Sequence, residues 1–329
     1  MFSGEQLRTA INLADQYQAV IEFRRELLSG CNKRLHWRRV AGHEYLYCAD
    51  RTGERSLGPK SALTLAQYDS FKTKKQDLQK YLGAYQSRLQ VQCAFYKTLK
   101  MPMLDPNKAR LLQELDANQL LGNAVIVNGA LCLAAYSLEA LQELDAPGVQ
   151  DDPSEAIFTP MLPGLDPVFC ASQDVASARD RASVIAKLLG VLECLASAGA
   201  GQSKATHAER PFNWLTRGAQ VAQVVCGRDR TPCRIVAPDP RWFALYAMWR
   251  STQADCPPEL ARSAIAQAKA VWNALPEMGR FDLDVDFLNE VQGEPALWRA
   301  LELLGEPLST VSRDGVYASY DFKLKLQRC

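Results

Sequence analysis

The sequence predicts an α+β protein, and three observations lead to that class. Apolar residues recur at helical spacing near both ends of the chain, short strand-like segments alternate with turn sequences over 35–58, and a buried strand at 124–128 leads through a glycine into a helix. With 329 residues, 47% hydrophobic and 23% charged, the composition is ordinary for a globular protein. We expect three parts: an N-terminal helix, β-meander and long helix (1–110), a mixed-sheet core (111–237) and a C-terminal helical domain (238–329).

The N-terminal part is predicted from its caps and its periodicity. A capping box at Ser3 begins a helix that Gly30 ends. The segments LHWRRV, HEYLYCA and ERSLG are then separated by Ala-Gly and Asp-Arg-Thr-Gly, which are favourable turn sequences. These segments predict a three-stranded meander, and the apolar spacing over 62–100 predicts a long helix after it.

The later elements follow from similar signals. Asp105 and the proline after it begin another helix. The region 145–173 is rich in proline, glycine and acid, so we expect only one or two short strands there, and a helix follows over 175–198. AQVAQVVC and PCRIVA read as paired strands. The C-terminal helices are expected at 240–251, 258–275, 282–291 and 294–304, before a strand-like tail.

Composition also excludes several classes of protein. No apolar run approaches 18 residues and the N-terminus has no signal-peptide pattern, so we expect a cytoplasmic protein that does not enter a membrane. The ten cysteines form no CxxC pair and only three histidines are present. We therefore expect no metal centre built from cysteine and histidine.

Charge is divided unevenly along the chain. Residues 1–110 hold 19 Lys and Arg against 10 Asp and Glu, whereas the remainder holds 19 against 27. Within the predicted meander, clustered cations and an aromatic ring predict a nucleic-acid-binding face formed by Lys33, Arg34, Trp37, Arg38, Arg39 and Arg55. The alternatives are a solvated sheet face with Trp37 and Tyr45 in the core, a protein partner, or attraction between the two halves of the chain.

The segment AVIVNGALCLAAYSLEAL presents the second candidate site. A strand that ends in glycine and enters a helix can direct backbone N–H groups at a phosphate, which makes Gly129 and Ala130 candidate nucleotide-binding residues. The alternative is that the turn needs glycine only for its backbone conformation.

Three segments in order resemble the bacterial family of nucleotidyltransferase-fold proteins typified by a Geobacter protein. GHEYLYCADRTGERSLGPKS resembles its Tyr-Leu-Tyr strand and Arg-Ser-Leu-Gly-Pro signature, and LLGNAVIVNGALCLAAY resembles its Gly-Thr turn and Ala-Leu-Tyr-Ala-Tyr helix. VAPDPRWFALYAMWRS and GEPALWRALE resemble its C-terminal elements. The resemblance extends over about 35–305 and implies a polymerase-β-type core in which the glycine turn holds a triphosphate and three carboxylates hold Mg²⁺.

The chain departs from that pattern at the positions that carry charge. Ala130 replaces the usual hydroxyl residue, no Asp-x-Asp pair lies between Gly129 and Asp174, and Ala222 stands where a third carboxylate is expected. Asp166 is the single acid retained near the expected acidic strand, which makes it the candidate catalytic residue.

The resemblance and its departures together predict a catalytically degenerate protein that acts by binding a nucleotide, nucleic acid or protein partner, without a cofactor. The alternative is an active Mg²⁺-dependent nucleotidyltransferase that moves a nucleoside monophosphate from a nucleoside triphosphate to a hydroxyl acceptor. Mg²⁺ would then be required, with Asp166 as a metal ligand and Asp151 or Asp152 as a further acid.

Overall fold

The computed structural model describes residues 1–31, 33–50, 53–144, 156–160, 168–169, 185–186 and 211–305. Within these ranges the protein is α+β, as predicted. The helices are α1 (Gly4–Gly30), α2 (Ala62–Thr98), α3 (Pro106–Ala117), α4 (Cys132–Glu139), α5 (Pro240–Ser251), α6 (Pro258–Ala274), α7 (Val285–Gln292) and α8 (Pro295–Leu303). No helix in the described ranges has the length and apolar character needed to cross a bilayer.

The strands form three small sheets. The first has the order β1-β2-β3, the second β4-β8-β9 and the third β5-β6-β7. Their bounds are β1 (Arg34–Val40), β2 (His43–Asp50), β3 (Gly53–Pro59), β4 (Met103–Leu104), β5 (Val125–Val127), β6 (Ala156–Pro160), β7 (Val168–Phe169), β8 (Val221–Gly227) and β9 (Pro232–Ala237). The predicted meander and the predicted pairing of β8 with β9 are therefore confirmed.

The helices α1 and α2 form an antiparallel hairpin, and the meander connects them along the chain. We call residues 4–98 the arm. The capping box at Ser3 begins α1 as predicted, and a second one at Ser61 begins α2. Lys74 forms an ion pair with Glu26, and Phe23 stacks on Tyr81. Because α2 has 37 residues and α1 has 27, the first turns of α2 extend past the end of α1, and the meander packs there.

A buried carboxylate joins the arm to the remainder of the protein. Asp116 of α3 has no exposed surface and accepts hydrogen bonds from Tyr17 at 2.9 Å, Arg25 at 2.8 Å and Arg234 at 2.5 Å. These partners come from α1 and β9. One acid therefore connects three elements, and its burial is tolerated because charged donors surround it.

The core lies around β5, α4 and the β8–β9 pair, with α3 packed against both of those strands. The sequence predicts a mixed-sheet core, and the described strands of that region belong to two sheets, of which β4-β8-β9 is mixed. β4 is parallel to β8 and β8 is antiparallel to β9, whereas β5, β6 and β7 are all antiparallel.

A second buried acid, Asp239, lies where the C-terminal helices begin. Asp239 caps α5 with its side chain and also accepts hydrogen bonds from the Arg241 guanidinium and from Ala219 N–H. The four helices predicted beyond residue 240 are all present, with ends that differ by up to three residues. The domain divisions at 110 and 237 stay predictions. The tail after Gly305 and most of the helix predicted at 175–198 lie outside the described residues.

Candidate functional site

The glycine turn lies where a fully buried strand meets a helix. Val125–Val127 are buried, and Gly129 has φ of +70°, a conformation that strains any residue with a Cβ atom. A short 3₁₀ helix over Gly129–Leu131 then leads into α4. The glycine is therefore required by the backbone here, whichever ligand the turn does or does not hold.

Several polar groups at this turn already have partners inside the protein. The side chain of buried Asn128 accepts a hydrogen bond from Gly129 N–H at 2.7 Å. Cys132 donates to the Val127 carbonyl at 3.4 Å, and Tyr136 donates to the Pro238 carbonyl at 3.1 Å. A phosphate could reach the Gly129 N–H only after the Asn128 amide had moved away. The side chain of Ala130 is a methyl group and adds no hydrogen-bond donor to the backbone N–H.

Magnesium needs several oxygen ligands around one point. Among the described residues, no group of three or more His, Cys, Asp and Glu side chains is placed to hold a metal ion. Asp166, with Asp151 and Asp152, lies outside the described residues. The described residues alone therefore do not make a magnesium site at this turn.

An acid that sequence reasoning missed lies close to β8. Ala222, where a third carboxylate is expected, is exposed, and the next residue, Gln223, donates to Glu139 at 2.7 Å. Arg280 donates to the other oxygen of Glu139, also at 2.7 Å. Glu139 is the last residue of α4, whereas Gly129 lies before the first residue of this helix. This carboxylate therefore links α4 and β8 to the segment between α6 and α7 instead of facing the turn.

Five of the six residues of the predicted nucleic-acid-binding face lie in the meander strands and are divided by the strand register, whereas Lys33 precedes β1. Residues directly paired in a sheet share a face, and neighbours along a strand point to opposite faces. Arg34 is paired with Ala49 and Arg38 with Tyr45, whereas Trp37 is paired with Leu46. Arg34 and Arg38 are consequently on one face of the meander, and Trp37, Arg39 and Arg55 are on the other.

The face with Trp37 packs against α2. The Trp37 ring lies 5.7 Å from that of Tyr68, and Leu46 and Cys48 on the same face are buried. Lys60 lies over Trp37 and forms a 2.6 Å ion pair with Glu44. The hydrogen bond and the charge of Lys60 hold the pKa of Glu44 below its usual value. We call this the covered face. Trp37 is half-buried there, so its ring contributes to packing.

The opposite face, called the open face, holds a polar and aromatic cluster. Tyr47 has the His36 ring 6.1 Å from its own and the Arg38 guanidinium 5.6 Å from its centre. Glu54 accepts from His36 at 2.9 Å and from Arg38 at 3.1 Å. Tyr45, on the same face, is half-buried. The alternative drawn from the sequence, a solvated sheet face, places Tyr45 in the core; the alternation along β2 instead places Tyr45 and Tyr47 on the same face.

Four of the five cations predicted for the nucleic-acid-binding face form no hydrogen bond or ion pair with a described residue. Lys33, Arg34, Arg39 and Arg55 make no hydrogen bond or ion pair with any residue that the structure describes, and the three arginines are exposed. Residues 31–80 contain eleven Lys and Arg against five Asp and Glu. The outer part of the arm therefore carries an excess of positive charge that ion pairs among the described residues do not neutralise.

Comparison with known proteins finds no match: no family model, no curated protein and no solved structure is similar to this chain. The resemblance to nucleotidyltransferase-fold proteins thus stays a prediction from the sequence motifs. The geometry of the arm and of the glycine turn is what bears on function.

Proposed function

We propose that this chain is a nucleotidyltransferase-like protein that acts by binding nucleic acid through its basic arm, without transferring nucleotides. The observation that carries the proposal is the set of cations at the outer end of the arm that form no hydrogen bond or ion pair with a described residue, namely Lys33, Arg34, Arg39 and Arg55. Cations that lack protein partners are available to phosphates, and the release of counterions from nucleic acid then favours binding.

The state of the glycine turn supports the same proposal. The Gly129 N–H is occupied by Asn128, and Ala130 has no hydroxyl. A turn with these properties keeps the strand-to-helix connection but offers little to a triphosphate. The arm is therefore a better candidate for the ligand-binding site than the glycine turn in the core.

The test is the salt dependence of binding to a fluorescently labelled 20-nucleotide single strand. The variant Arg34→Glu/Arg39→Glu should weaken binding and reduce the slope of log K against log salt by about 0.7 for each phosphate that the arm no longer neutralises. The matched control is Arg262→Glu/Arg299→Glu, which changes net charge equally at two exposed arginines of α6 and α8. Equal binding by the wild type and the arm variant would contradict the proposal.

A second measurement addresses transfer. Wild-type protein incubated with labelled nucleoside triphosphates and Mg²⁺ should incorporate no label into oligonucleotide or protein. Magnesium-dependent incorporation that disappears in Asp166→Ala would instead establish the active enzyme. That outcome would overturn the proposed absence of transfer even if the arm also bound nucleic acid.

A further inference from the structure

The open face of the meander combines aromatic rings with positive charge. Tyr45 and Tyr47 lie two residues apart on the central strand, so their side chains stand on the same face about 7 Å apart. Arg38 is directly opposite Tyr45, and Arg34 lies further along the same edge strand. The covered face, by contrast, holds Trp37 against α2.

The cluster on this face is held in place before any ligand arrives. Glu54 bonds to both His36 and Arg38, and Arg38 lies over the Tyr47 ring. These interactions restrict the rotamers of the arginine and the tyrosine, so binding a ligand costs less conformational entropy. Glu54 reduces the charge at this point, but Arg34 is exposed and has no described partner.

This arrangement favours unpaired bases over a duplex. Aromatic side chains on a sheet surface can stack on the flat faces of unpaired bases, whereas the bases of a duplex are already stacked on one another. A strand of seven residues is about 23 Å long, which is enough for a few nucleotides of a single strand. Cations at the edge can then contact the phosphates that connect those bases.

We infer that the open face is a binding site for single-stranded nucleic acid, in which Tyr45 and Tyr47 stack on bases and Arg34 contacts phosphate. This inference rests on the proposed function, because it names the class of nucleic acid and the residues that select it. It also assigns to the two tyrosines the stacking role that the sequence alone assigns to Trp37.

The experiment compares a labelled pyrimidine 12-mer with a duplex of the same length by fluorescence anisotropy. Wild-type protein should bind the single strand at least about tenfold more tightly. Tyr45→Leu/Tyr47→Leu should lower single-strand affinity about 5- to 100-fold, as removal of base stacking does, with little change for the duplex. Tyr45→Phe/Tyr47→Phe keeps both rings and should bind as the wild type does.

Two controls separate the loss of stacking from unfolding and from a general effect of removing an aromatic ring. Tyr81→Leu removes an exposed ring elsewhere on the arm and should leave affinity unchanged. Thermal unfolding of each variant identifies any that do not fold, in which case Tyr47→Leu and Tyr45→Leu are measured singly. Equal binding of duplex and single strand overturns the inference.

The outcomes also distinguish this inference from the proposed function. If the leucine variant binds normally while Arg34→Glu/Arg39→Glu does not, the stacking site is wrong and the basic arm still binds nucleic acid. If neither variant loses affinity, both statements fail. A third outcome is that the wild-type protein self-associates and binds neither oligonucleotide, and that Arg34→Glu/Arg39→Glu abolishes the self-association. This outcome would show that the arm contacts a second copy of this chain.

Discussion

The core and the outer part of the arm differ in the burial and hydrogen bonding of their charged groups. In the core, Asp116 and Asp239 are fully buried and each is surrounded by donors, and Glu139 is held between Gln223 and Arg280. On the arm, Lys33, Arg34, Arg39 and Arg55 form no hydrogen bond or ion pair with a described residue. A buried charge must be matched because it has lost its water, whereas an exposed cation keeps its hydration until a ligand replaces it. The buried charges of the core therefore stabilise the fold, whereas the exposed cations of the arm keep their hydration.

The largest expected effect comes from the junction between the two regions. Asp116→Ala should lower the free energy of unfolding by about 3–5 kcal/mol, because it leaves Arg25 and Arg234 facing one another without their carboxylate. Urea unfolding measures this change. A decrease of less than about 1 kcal/mol would mean that the junction is not a buried ion cluster in solution.

The next effect is the response of three buried tyrosines, two at the inner end of the arm and one in α4, to alkaline pH. Burial raises the pKa of Tyr17, Tyr96 and Tyr136 well above the ordinary value of 10.0, and for Tyr17 the nearby Asp116 carboxylate raises it further. Above pH 10 the unfolded chain releases these protons while the folded protein retains them. Stability that is complete below pH 10 should therefore be lost as the pH rises, by about 1.4 kcal/mol per pH unit for each tyrosine.

The phenylalanine variants sharpen this prediction. Tyr136→Phe should reduce that slope by one tyrosine's share, since the group that titrates has been removed. The matched control is Tyr81→Phe, which removes a ring hydroxyl at an exposed position on the arm. Unfolding free energies measured between pH 9 and 11 test both; identical slopes for the two variants would contradict the assignment.

Replacing glycine by alanine should have opposite consequences in the two regions. Gly129→Ala should destabilise the protein by about 1 kcal/mol, because φ of +70° is unfavourable for alanine. Gly83→Ala lies within α2, where an added Cβ meets no atom within 4 Å, and should stabilise by about 0.5–1 kcal/mol. Thermal or urea unfolding of the pair measures the two signs, and neither change should affect binding by the arm.

The smallest effect is expected at the exposed ion pair of the meander. Lys60→Ala should return the Glu44 pKa toward that of an ordinary glutamate, because the Lys60 ammonium donates to it. The stabilisation from the lowered pKa is present above the unfolded pKa and is lost as the pH falls through the folded one. An NMR titration of the Glu44 carboxyl carbon measures the shift. An unchanged value in Lys60→Ala would show that the pair is not formed in solution.

Sequence patterns were sufficient for most elements of the fold. The capping box at Ser3, the proline after Asp105 and the alternation in β8 and β9 are local signals, and local backbone preferences dominate at such positions. The need for glycine at 129 was likewise visible, since a turn from a buried strand into a helix often requires a positive φ. The basic composition of residues 31–80 belongs to the sequence alone.

Tertiary structure decided which of these residues act together. The sequence predicts Trp37 and the cations on one face because they are neighbours along the chain. In the structure, the strand pleat and the packing of α2 place Trp37 on the covered face, and Tyr45 and Tyr47 lie beside Arg38 on the open face. Asp116, Arg25 and Arg234 are far apart in sequence and meet only when α1, α3 and β9 pack. Contacts of this kind depend on the three-dimensional arrangement of whole elements, which no local pattern encodes.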